Sequence, residues 1–226
     1  MGALSDIPYL LVQAAALVVG LVVHESAHAL AAYLLGDATA RSRGRLSLNP
    51  LAHIDPFGTV VLPLLMMLAG GPVFAFAKPV PVYLGNLKHP KRDEVLVSLA
   101  GPASNIVLAA LAALGWRLLA GAYAVAAGSA VLDLVGSFLT SAIVLNLSLA
   151  FFNLIPLPPL DGSSILVPFL RGEALRTYYQ VQRYSMPILI GVLYLLPMAV
   201  GLDLVGIYFD FTVYPLARLM LALALG

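Results

Sequence analysis

The sequence predicts an all-α polytopic membrane protein with five to six membrane segments, one of them re-entrant, and a small extended or β element near its functional site. Hydrophobic residues make up 61% of the 226 residues and charged residues only 10%. A soluble domain carries roughly 25% charged residues to cover its core, so this chain belongs in lipid. Its mean hydropathy of +0.97 agrees. The third observation is spacing: apolar stretches of crossing length, about 17–25 residues, recur along the whole chain.

Five of these stretches run over residues 8–35, 95–121, 129–155, 184–201 and 204–225. The first could be mistaken for a cleavable leader. Met1 to Pro8 holds no Lys or Arg and carries Asp6, so the basic start of a leader is missing and a retained helix is expected. A sixth stretch, 58–76, is short and broken by Pro63 and by Gly70-Gly71-Pro72. No repeat, low-complexity tract or soluble module interrupts the series, so residues 1–226 read as a single domain. The net charge of +1, with Lys and Arg scattered through short connections, gives no footprint for nucleic acid. The absence of Cys excludes disulfides, thiolate catalysis and thiolate metal sites. Any metal must take His and carboxylate ligands.

Ionisable residues inside a span are costly unless paired or hydrated. Arg117, Asp133 and Arg218 lie near span ends, where snorkelling accounts for them. His24, Glu25 and His28 sit together deep in the first span and need another reason. They form the pattern H-E-x-x-H. A spacing of four puts both imidazoles on one helix face, one turn apart, where they can share a metal ion. Glu25 projects roughly 100° round from His24, able to reach a water at the metal without being a ligand.

Catalytic zinc usually takes three protein ligands, so one more is required. His53, Asp55, His89, Glu94, Asp161 and Glu173 are the candidates. Asp161 stands out because it follows a span and a run with prolines at 156, 158 and 159. Those prolines unwind the backbone. Unwound backbone at membrane depth is tolerated only against protein or a water-filled cavity. His53, in an Asn-Pro loop, reads either as a metal ligand or as a loop-fixing hydrogen bonder. His89, between Lys88 and Pro90, reads as solvated.

The pair H-E-S-A-H at 24–28 and N-L-I-P-L-P-P-L-D-G at 153–162 resembles the signature motifs of the site-2 protease family of intramembrane zinc metalloproteases. Gly101-Pro102-Ala103-Ser104-Asn105 is similar to a third family feature. The resemblance implies one zinc per chain, with Asp161 as third ligand beside His24 and His28, and Glu25 as the proton-transferring base. It implies for Asn153 a role in positioning the scissile peptide or stabilising its oxyanion. It also implies membrane-anchored protein substrates and a cell-membrane location, as in a prokaryotic inner membrane. The PDZ and CBS insertions of larger members are absent, and no motif indicates an oligomeric state. Two other readings remain: a membrane transporter conducting protons or a metal, and a catalytically silent relative that binds membrane helices. The first would favour ionisable groups spaced along a path. The second is disfavoured by a complete set of ligands and base.

The three metal-binding residues must meet at one depth, which constrains the topology. If 58–76 crossed fully, His24 and His28 would lie on the opposite side from Asp161. If it dips in and returns, they coincide. The connections 36–57, 77–94 and 156–183 then share a side and gather ten of the twelve Lys and Arg. That side is cytoplasmic by the positive-inside rule, with the N-terminus outside and the C-terminus inside. Lys78-Pro79-Val80-Pro81-Val82-Tyr83 reads as an extended edge, with prolines removing donors on one side only. It could hold an unwound substrate by strand addition or simply shape its loop.

Overall fold

The computed structural model describes residues 7–53, 55, 78–125 and 129–225. The re-entrant element expected over 58–76 lies outside the described residues. Helix α1 spans Ile7–Leu34, α2 Pro90–Val125 and α3 Ala130–Asn153. Helix α4 (Gly172–Gln182) is followed by α5 (Ser185–Val200), bent from it by 76°, and α6 covers Leu204–Leu225. No strand forms among the described residues.

Among the described residues, four helices are long and apolar enough to cross a membrane, and the bent pair α4–α5 makes a fifth candidate span. The expected spans coincide with α1, α2, α3, α5 and α6. Helix α1 is apolar nearly all round, with Leu10, Leu11, Leu17, Val18, Val19, Leu30 and Leu34 exposed. That pattern suits a lipid-facing helix. Helix α2 starts on Pro90, which is pre-set for a first turn, and Asp93 reaches back to accept the His89 amide at 2.8 Å. Helix α6 breaks at Thr212, between Leu204–Phe211 and Val213–Leu225. Pro215 has no N–H to offer the Phe211 carbonyl, which explains the break.

The chain divides into two compact units. The first comprises Met1–Gly20, Pro102–Asn153 and Val205–Gly226. Its core joins Ala109, Ala112 and Trp116 of α2, Ile143 and Leu147 of α3, and Val213 and Ala217 of α6. Gly136 lies against the Trp116 ring, where a Cβ would come within 2.8 Å of Cζ2. Small residues permit such close helix approach in lipid. The Trp116 indole donates to Thr140 Oγ1 at 2.8 Å. Buried Asn105 donates to the Gly20 carbonyl at 3.1 Å and to Asn146 Oδ1 at 2.8 Å, and Asn146 donates to the Ala142 carbonyl. These bonds give the Asn of G-P-x-x-N a helix-joining role.

The second unit comprises Leu21–Gly101 and Leu154–Leu204. Its connections are tied by buried polar groups. The Asp37 carboxylate accepts the Tyr83 amide at 2.7 Å, the Asn86 side chain at 2.9 Å and the Thr39 amide at 3.0 Å. The Lys78 amide donates to the His53 carbonyl at 3.1 Å, and the Arg45 guanidinium donates to the carbonyls of Ala52 and Lys78. Lys91 donates to the Leu170 carbonyl at 2.6 Å. Residues 78–83 are neither helix nor strand, although Tyr83 is extended at φ −106°, ψ 104°. The physical reason is visible: two prolines lack donors and the Tyr83 amide goes to Asp37.

Burial would push the Asp37 carboxyl up, but the hydrogen bonds from Asn86, Thr39 and Tyr83 outweigh it and hold it below its ordinary value. A carboxylate depressed in the folded state contributes stability that is present above its unfolded pKa, about 3.9, and is lost as pH falls through the folded value. Protection of the Tyr83 amide against hydrogen exchange should therefore persist from neutral pH down to about pH 4 and fail only below it. In Asp37→Asn that acid-dependent step should vanish. A Tyr83 amide equally protected at every pH would show that the carboxylate does not hold it.

Candidate metal centre

His24 and His28 sit one turn apart on α1 with their rings edge to face, centroids 4.6 Å apart. Both are buried, and their Nε2 atoms lie 3.0 Å from each other. His28 Nδ1 lies 2.7 Å from the Val97 carbonyl of α2, which can only accept. That contact puts a proton on Nδ1 and leaves the Nε2 lone pair of a neutral ring facing His24.

Asp161 completes the group. Its Oδ2 lies 3.2 Å from His24 Nε2 and 3.3 Å from His28 Nε2. The backbone before it is built from turns rather than helix: the Leu157 amide donates to the Ile155 carbonyl, Leu160 to Leu157, and Ser163 to Leu160. The prolines between offer no donors. Asp161 then opens a 3-10 run, Asp161–Phe169. Gly162 follows of necessity, because a Cβ there would press on the Leu154 carbonyl and come within 2.8 Å of the Ile155 oxygen. The Pro-rich run and the glycine together fold the chain so that the carboxylate points at the histidines.

Gly101 forms the wall behind them. A Cβ at this position would lie 2.6 Å from both His24 Cε1 and His28 Cε1, and closer still to His28 Nε2. Only glycine lets α2 approach the imidazoles this closely. Gly101→Ala should therefore lower zinc affinity 10- to 100-fold, the range for disturbing groups that orient metal ligands. The helix itself should not suffer, since Ala is the better helix former by about 0.8–1 kcal/mol. Chelator competition and circular dichroism on the purified variant check both halves. Undiminished affinity would remove the steric role of Gly101.

The three donor atoms fit zinc. At Zn–N distances of about 2.0–2.1 Å, the edge of a tetrahedral site is roughly 3.3–3.4 Å. The observed separations of 3.0, 3.2 and 3.3 Å match that scale. Asp161 Oδ2 is buried without a hydrogen-bond donor among the described residues. Two nitrogens and a carboxylate are also a common ligand set of catalytic zinc.

Among the described residues, His24, His28 and Asp161 form the group that can hold a metal ion. The other five candidates for a third ligand lie outside it. His53 Nε2 sits 2.7 Å from the Ser47 carbonyl and 3.5 Å from Ser26 Oγ, and Ser26 donates to the same carbonyl at 2.7 Å. It fixes its loop against α1. Glu25 is half-buried on α1, and Asn153 is half-buried at the end of α3, where its amide donates to the Leu149 carbonyl at 2.9 Å. Two contributors escaped sequence reasoning. Val97 acts through its carbonyl, which leaves no side-chain signal. Gly101 was visible as part of a motif, and a glycine in the apolar helix opposite H-E-x-x-H was the signal for close approach.

Residues 12–196 match peptidase family M50. The proposed zinc metalloprotease YwhC of Bacillus subtilis (strain 168) is 41% identical over 200 residues, covering 86% of this chain and 84% of its own. The proposed zinc metalloprotease Rip2 of Mycolicibacterium smegmatis is 35% identical over 195 residues, covering 85% of this chain and 70% of its own. Rip2 of Mycobacterium tuberculosis (strain H37Rv) is 32% identical over 187 residues, covering 81% and 66%. No solved structure matches the chain. The match spans both signature motifs, and the chain belongs to peptidase family M50, the site-2 protease family, as a multi-pass membrane zinc metalloprotease.

Proposed function

We propose that this metalloprotease hydrolyses peptide bonds within or next to the transmembrane segments of membrane-anchored proteins. The observation that carries the reading is the depth of the metal group. Helix α1 has 28 residues, about 42 Å at 1.5 Å per residue. His28 stands six residues before its end, roughly 9 Å in, so the donors lie within the hydrocarbon thickness and nearer the helix C-terminus.

His24, His28 and Asp161 hold the zinc. When bound, zinc acidifies water and polarises a carbonyl. Glu25 takes the proton of the attacking water and returns it to the departing amine as the C–N bond breaks. Val97 keeps the His28 ring in one tautomer throughout. Asn153 uses one of its two amide hydrogens on Leu149, and the other serves the developing oxyanion. Comparing the membrane proteome of the wild type with that of Glu25→Gln tests the reading. Single-span proteins should accumulate uncut in the variant. If only soluble proteins change, the membrane substrate class is wrong.

The whole chain acts as one protease domain in the cell membrane, its zinc toward the cytoplasm. That the three basic connections share one side is supported by the bonds that Asp37 accepts from Tyr83 and Asn86 and that Lys91 donates to Leu170. Cysteines replacing Ser42 and Lys88 should label from the same side of sealed vesicles, and one replacing Ser129 from the other. Labelling of Ser42→Cys and Lys88→Cys from opposite sides would overturn the topology.

A further inference from the structure

We propose that a cavity beside the metal group is a subsite for a Lys or Arg side chain of the substrate, with Glu94 as its specificity-determining residue; this rests on the intramembrane-protease reading above. The cavity holds about 480 Å³ and lies within the second unit. It shares its wall with the metal centre. Val97, whose carbonyl orients His28, lines it, as do Pro159, two residues before Asp161, and Ser164, three after. An extended peptide advances about 3.3 Å per residue, so a chain held at the metal would offer this cavity a side chain only a few residues from the scissile bond.

The lining sets the ligand class. Pro79, Val80 and Val82 supply an apolar flank suited to a methylene stem. Glu94 is the one carboxylate among the described residues of the lining and is only 8% exposed. It accepts the Tyr179 hydroxyl at 2.8 Å, which satisfies an oxygen without neutralising a charge. No Lys or Arg among the described residues lines the cavity, and Lys91, three residues before Glu94, is turned to the Leu170 carbonyl. A buried carboxylate with only neutral donors favours a cationic guest, through a charge-assisted hydrogen bond. Membrane anchors supply such guests, because Lys and Arg collect at their cytoplasmic ends.

The test uses the full chain in liposomes with single-span model anchors that differ at one position near the cut, carrying Lys, Gln or Glu. Wild type should cleave the Lys anchor about tenfold faster than the Gln anchor at one position, with Glu slowest. In Glu94→Gln the Lys-to-Gln ratio should fall to near one, and Glu94→Lys should turn the preference toward Glu. A ratio taken within one preparation does not depend on how much of it is folded. Tyr179→Phe keeps the carboxylate and should keep the preference. An undiminished ratio in Glu94→Gln, or cleavage of all anchors without charge preference, overturns the subsite and leaves the protease reading standing. If wild type cleaves none of the anchors, the protease reading falls and the subsite with it.

Discussion

Glu25→Gln should leave about one zinc per chain in place and abolish hydrolysis. The amide is nearly isosteric with the carboxylate and stands on the same turn of α1, so His24 and His28 keep their positions. It cannot accept a proton from water, and the general-base contribution, typically 10²–10⁴-fold, is lost together with proton return to the amine. Metal content and turnover, measured on one preparation, separate this from a folding defect. Zinc retention with near wild-type cleavage would show that Glu25 is not the base. Zinc loss would show that it helps hold the metal.

Asp161→Ala should empty the metal site as well as abolish cleavage. Its Oδ2 lies within 3.3 Å of both imidazole Nε2 atoms, and removing it leaves two neutral nitrogens and no compensating charge. His24→Ala and His28→Ala should behave alike, whereas His53→Ala should keep zinc because His53 lies outside the metal group, its Nε2 on the Ser47 carbonyl. Zinc content by atomic absorption, read beside helicity, decides this. Full occupancy in Asp161→Ala would refute the three-ligand assignment.

Much of this was legible because helical periodicity is rigid. A spacing of four from His24 to His28 fixes one face whatever surrounds it, and the spans over 8–35 and 129–155 follow from apolar length, appearing as Ile7–Leu34 and Ala130–Asn153. The Pro run before Asp161 announced unwound backbone by removing donors. Other features depend on partners distant in sequence. Nothing local tells that Asp37 accepts the Tyr83 amide 46 residues away, a bond that takes this donor from any strand pairing of 78–83. The continuation of α4 into α5 across a 76° bend was hidden because 172–182 is polar enough to read as a connection. Gly101 was legible as a motif, but its purpose needed the imidazoles in view.

The most direct measurement is the position of the cut. Purified protein in liposomes, supplied with a single-span anchor, should release fragments whose new termini, read by mass spectrometry, fall within the apolar span or at its cytoplasmic border. Cleavage should stop on zinc chelation and return when zinc is restored. Cuts confined to water-exposed polar segments, or turnover indifferent to chelation, would contradict a zinc protease working at membrane depth.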